Sequence, residues 1–221
     1  MLPFTIDQFL TVFEQYNQAI WPMHVLVYLV GIGVILCALK KTRYTDQIIS
    51  VALAFFWAWM GIVYHLMYFS TINRAAIGFG ILFIIQAILW LVFGVVRPKL
   101  SFRVEFNTYS VTGMLLIVYA MIIYPIIGML LGHGYPRSPS FGVAPCPTTI
   151  FTFGLLLLTG AKVPKFVLLI PFLWSVIGFW AALSLGIRED VGLLVAGMLS
   201  VGLLFWRDRT TVHPGKRARY A

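Results

Sequence analysis

The sequence predicts an all-α, polytopic integral membrane protein: a seven-transmembrane-helix bundle, N-out/C-in, with a short N-terminal interfacial amphipathic helix. Three observations predict it. Of 221 residues, 61% are hydrophobic and only 10% charged, where a soluble domain carries about 25% charged residues; the mean hydropathy is +0.93. The apolar residues gather in runs of about 18 or more, the length of a helical span, and the short alternating segments of a transmembrane barrel are missing. The basic residues fall between those runs and at the C-terminus, as topology markers do.

The whole chain, 1–221, reads as a single transmembrane domain. Residues 3–18 form the interfacial helix: Thr5 and Gln8 have capping-box spacing and Asp7 suits a first turn. Ile6, Phe9, Leu10, Phe13 and Asn17 trace a largely apolar face opposite Asp7, Thr11, Glu14, Gln15 and Gln18, so the helix is expected to lie flat on the bilayer. No Lys or Arg precedes the first apolar run, which is not the pattern of a signal peptide. Seven spans follow at 20–39, 48–70, 75–96, 108–131, 147–161, 165–186 and 190–206, and 207–221 is a basic cytoplasmic tail.

Orientation follows from the loops. With the N-terminus outside, the inner side holds Lys40, Lys41, Arg43, Arg97, Lys99, Arg103, Lys162, Lys165, Arg207, Arg209, Lys216, Arg217 and Arg219, and the outer side Arg74, Arg137 and Arg188; thirteen plus three accounts for all sixteen. The net charge of +9 is therefore a membrane signature, and no nucleic-acid partner is expected. No charged residue sits in the middle of a span, which argues against a carboxylate proton relay and against a retinal Schiff base. Small residues mark the packing faces: Ala54, Ala58 and Gly61; Ala76, Gly80, Ala87 and Gly94; Gly113, Ala120 and Gly128; Ser175, Gly178 and Ala182.

The fifth span is the unusual one. Pro145 and Pro147 flank Cys146, placing Cys146 at or beside an N-cap, where a helix dipole favours a thiolate. From Pro147 to Ala161 the helix is about 22 Å long, against about 30 Å of hydrocarbon, so some backbone there must be non-helical and covered by protein or facing a cavity. Short, proline-interrupted spans point to binding sites in transporters. The topology also places His24, His65, His133 and Cys146 at one outer level. Two readings stay open: interfacial anchoring, or an outward-facing polar pocket of His24, His65, Tyr68, Cys146 and Thr148. Imidazole and thiol suit a soft or borderline metal ion, with His24, His65, His133 and Cys146 as candidate ligands. No CxxC spacing exists, and Cys37 and Cys146 are expected at opposite ends, unbridged.

The stretch SFGVAPCPTTIFTFGLLLL, with the opening PFTIDQFLTVFEQYNQAIWP, resembles a bacterial family of uncharacterised multi-pass membrane proteins of unknown function, some of them labelled permeases. The resemblance covers the whole chain. It implies an inner (plasma) membrane location and transfers no catalytic or binding residue.

The functional expectation is a small permease handling a small solute or metal ion through that outward-facing pocket. A membrane-embedded metal-dependent hydrolase and a structural or sensing subunit of a membrane complex are the alternatives. Helices 1–3 and 5–7 share an orientation, like the parallel repeats of SWEET-type carriers, but no Pro-Gln motif occurs. Nor does an HxxxH pair of the kind zinc-dependent membrane hydrolases use, so an enzymatic role is the weaker reading. The expected partners are the lipid bilayer and a second copy or another membrane subunit.

Overall fold

The structure, a computed structural model, describes residues 2–210. His213, Lys216, Arg217 and Arg219 of the basic tail lie outside the described residues. Among the described residues the fold is all-helical, with one isolated bridge between Phe102 and Thr159.

Helix α1 (Ile6–Ala19) starts with the expected capping box, Thr5 accepting from the Gln8 N–H while the Gln8 side chain accepts from the Thr5 N–H. It buries Leu10, Val12, Phe13, Tyr16 and Asn17 and meets α2 (Met23–Leu39) at 84°. The next element, α3 (Thr45–Trp59), runs on through a π-helical stretch, Met60–Tyr68. Helix α4 (Ala76–Leu91) ends likewise in Val92–Val96. Helices α5 (Thr108–Val118) and α6 (Tyr124–Leu130) are joined by π turns over Tyr119–Ile123. Three helices complete the described residues: α7 (Pro145–Leu157), α8 (Lys165–Leu185) and α9 (Val191–Thr210).

Each of the seven expected segments is helical, but their lengths differ. Five stretches are long and apolar enough to cross a membrane: Thr45–Thr71, Ala76–Val96, Thr108–Leu130, Lys165–Leu185 and Arg188–Thr210. Helices α1 and α2 make a sixth only if counted as one bent span. Helix α2 has 17 residues and α7 13, and α7 is therefore about 20 Å long. Large apolar side chains cover the outside at helical spacing, as Ile77, Ile81, Ile85 and Ile88 do on α4 and Leu169, Leu173, Val176 and Trp180 on α8. An apolar exterior on this scale fits lipid, not water.

Helix α7 is the axis. Every residue from Phe141 to Thr159 is buried, as expected of a helix apolar on all sides. Helices α5, α8 and α9 pack around it, and Trp57 of α3 donates its indole N–H to Thr152 at 3.1 Å. The α5 and α7 backbones touch at Gly113 and Gly154. The non-helical backbone at either end of α7 is covered by protein. At one end Gly142 N–H donates to Thr148 Oγ1 at 2.9 Å, and Gly142 itself needs φ +79° and lies too close to Val27 for a side chain. At the other end Arg103 N–H donates to the Leu158 carbonyl, and the Arg207 guanidinium to the carbonyls of Thr159 and Ala161.

Asn17 fastens the corner between α1 and α2 to the 132–144 loop. Its amide donates to the Pro136 and Ser138 carbonyls at 2.6 and 2.8 Å, and its Oδ1 faces His24 Nε2 at 3.1 Å. Arg137 adds ion pairs to Asp7 and Glu14, each at 3.6 Å. Asn17→Ala is expected to cost about 1–3 kcal/mol by stranding buried polar groups. Limited proteolysis should then cut the 132–144 loop sooner than in the wild-type protein, while Gln18→Ala on the exposed face leaves the rate unchanged.

Candidate functional site

At the end of the bundle that carries α1 lies a cavity of about 240 Å³. Phe4 and Phe13 roof it, Tyr64, Phe79 and Trp174 wall it, Cys146 and Asp190 together form a polar end, and Asn73 is a further polar lining residue. The roof is a chain of ring contacts: Phe13 stacks on Tyr64 at 5.1 Å, and Phe4 meets Phe69 edge-on at 5.4 Å. Such edge-to-face and offset packing holds α1 over the cavity. The proline pair sets Cys146 in the first turn of α7, with Ala144 as N-cap. Cys146 was expected at or beside the cap and lies two residues beyond it.

The polar end is built by a π turn. Tyr119 and Tyr124 are five residues apart, and the Tyr124 N–H donates to the Tyr119 carbonyl in i→i+5 fashion. Both phenols thereby reach the short turn Arg188–Asp190 that leads into α9. The Tyr119 hydroxyl donates to the Glu189 carbonyl at 2.7 Å, and the Tyr124 hydroxyl to Asp190 Oδ1 at 2.6 Å. The Cys146 thiol faces the same carboxyl and the Trp174 indole nitrogen faces the thiol, both outside hydrogen-bond geometry. Enclosed in the core beside a carboxyl, that sulfur is poorly placed to carry the thiolate charge that the helix start suggests. Beside it, His133 Nδ1 lies 3.1 Å from Glu189 Oε1. Gly128 makes room for that pair, since a Cβ there would sit 3.3 Å from the same oxygen.

The sequence-derived residues are distributed over this end rather than gathered at one point. Cys146 lines the cavity. His65 is fully buried just behind the wall, its ring 4.7 Å from Phe83 and 5.2 Å from Trp174, with neither nitrogen hydrogen-bonded to protein. His24 sits elsewhere, bonded to Asn17 and packed on Trp21 and Tyr135. Tyr68 packs on Tyr16 at 5.1 Å. Thr148 uses its hydroxyl inside its own turn, donating to the Ala144 carbonyl at 2.7 Å while accepting from Gly142. His133 faces Glu189. Among the described residues no three His, Cys, Asp or Glu side chains gather as a metal ion requires.

Three residues of consequence escape the sequence reading. Glu189 and Asp190 are 1% and 2% exposed. Their signal was two adjacent acids at a helix start, a favourable position against the dipole. Arg207, expected as a topology anchor, is buried against the end of α7. Nothing in its local sequence separates it from Arg209.

The chain belongs to a family of unknown function: the model of that family (DUF6064) matches residues 6–213. No curated protein and no solved structure matches it.

Proposed function

We propose that this member of the family is a multi-pass inner-membrane protein that holds a small, largely apolar ligand with one hydrogen-bonding end in the cavity beside Asp190. In this reading the chain is a single domain crossing the bilayer seven times, N-out/C-in, with α1 on the outer surface; the thirteen-to-three distribution of basic residues supports that threading. One observation carries the ligand reading. An aromatic and aliphatic cavity of about 240 Å³ has few polar side chains in its lining, Asp190 and Cys146 together with Asn73. Ligand sites are mostly apolar, with a few placed polar groups that fix orientation.

The unbroken burial of 141–159 favours retention of a ligand over its passage. Solute permeation is the second reading. The π turns in three spans favour it, because such turns concentrate at functional sites.

A diazirine-bearing octanol, cross-linked to the purified protein and mapped by mass spectrometry, tests the first reading. Label is expected on Tyr64, Phe79 or Trp174. Ala182 lines the cavity, so Ala182→Leu should cut that labelling about tenfold, a change of about 1.4 kcal/mol, and Asp190→Asn should weaken it. Label spread evenly over the lipid-facing helices, and indifferent to both substitutions, would leave the reading without support.

A further inference from the structure

A second concavity, of about 390 Å³, lies at the opposite end of the bundle between the start of α8 and the end of α9. Its wall is apolar, with Leu168, Phe172, Val201 and Phe205 among the lining side chains. At its polar end stand Lys162, Lys165 and Arg209, all three exposed. The one acid among its lining residues, Asp208, lies 3.0 Å from the Arg207 guanidinium and is already compensated. The Arg209 guanidinium rests 4.0 Å over the Phe205 ring, which holds a positive charge where the apolar wall begins.

We infer that this groove binds one anionic glycerophospholipid, with an acyl chain along the α8–α9 wall and the phosphate among Lys162, Lys165 and Arg209. The charge and the wall have to be explained together. A neutral lipid leaves three cations without a counterpart, and a free phosphate leaves the wall uncovered. Lysine and arginine are the groups that recognise phosphate, and each basic side chain near an anionic bilayer surface contributes about 1 kcal/mol. The inference rests on the membrane reading and is independent of the aromatic cavity. With the N-terminus outside, the site faces the cytoplasmic leaflet.

The test uses the full chain reconstituted with phosphatidylglycerol and phosphatidylcholine in equal amounts, then native mass spectrometry of the lipid retained. Wild type should keep one phosphatidylglycerol in clear preference to phosphatidylcholine. Changing Lys162, Lys165 and Arg209 together to Gln should remove that preference, about a tenfold drop or more, with an unchanged melting temperature in lipid-free detergent. Val201→Trp, which fills the groove and leaves the cations in place, should also evict the lipid. Equal retention of the two lipids by wild type overturns the inference. So does displacement of the lipid by millimolar inorganic phosphate, which assigns the cations to a free anion. A doubled mass that the Gln changes abolish also overturns it, assigning the groove to a second copy. Alkaline carbonate extraction of the chain from membranes is run first, and release from the pellet removes the membrane reading itself.

Discussion

Arg207→Leu is expected to destabilise the folded protein by about 3 kcal/mol or more. The reason lies in the shortness of α7. A helix of 13 residues stops inside the bundle, so the backbone just beyond it, still buried through Thr159, needs donors for its carbonyls. The Arg207 guanidinium supplies the donors, reaching the Thr159 carbonyl and hydroxyl and, at 2.9 Å, the Ala161 carbonyl. It also pairs with Asp208 at 3.0 Å. Leucine would strand those acceptors and take from the Asp208 carboxylate its guanidinium partner. Lysine, a single point charge without the planar fork, should recover less than half of the loss. Arg209→Leu, one residue beyond the clamp's neighbour on an exposed face, should barely change stability. Thermal unfolding of the three variants in one detergent checks this. Equal melting temperatures for Arg207→Leu and Arg209→Leu would show that the clamp contributes nothing.

The second large effect is expected at Gly154. A Cβ there would lie 2.7 Å from the Gly113 carbonyl oxygen and 2.7 Å from Ile117 Cγ1. One obstacle is backbone and cannot rotate away, so α5 and α7 would have to separate. Because α7 is enclosed on all sides, that displacement would pass to α8 and α9 as well. Gly154→Val is expected to cost about 3 kcal/mol, at the upper end of the usual cost of overpacking, and Gly113→Ala should move in the same direction. Gly202, with nothing within 4 Å of its Cβ position, is the control. Alanine there gains about 0.5–1 kcal/mol of helix stability. If Gly154→Val and Gly202→Ala unfold alike, the close approach of α5 and α7 is not what holds the bundle.

Residues that describe a local, one-dimensional pattern were readable in advance. The capping box at Thr5, the buried face through Leu10, Phe13 and Asn17, and the shortness of the proline-started helix all come from spacing along the chain, and the structure has them. The small residues were readable as packing points, though not their partners. Gly61 meets Gly80, Gly113 meets Gly154, and Gly197 approaches Ser175. Gly128 looked like a helix-packing point. Instead it opens space for Glu189 and His133, and Gly132 ends the helix at φ +90° with nothing near it.

The polar residues were harder to read because depth along a span does not fix direction around it. His24 and His65 were expected at one level, yet one turns toward Asn17 and the other into a ring of aromatic side chains. The π turns contribute to this. Inserting i→i+5 geometry rotates everything beyond it relative to an α-helical reading, and it is this that puts Tyr119 and Tyr124 on the same turn before α9.

By itself, then, the sequence determined that this is a helical chain with a lipid-compatible exterior and a short helix that its neighbours must enclose. Hydrophobic run length, charge placement and proline are local properties, and the bilayer enforces them one segment at a time. Which buried groups meet was decided only by the tertiary structure. Asp190 finds Tyr124 and Cys146, and Arg207 finds the carbonyls beyond α7, across 66, 44 and 48 positions of chain respectively, the middle figure being 190 minus 146. Contacts that distant depend on helix rotation and on where glycines let backbones touch. A polar group in an apolar interior takes whichever partner that packing brings within about 3 Å.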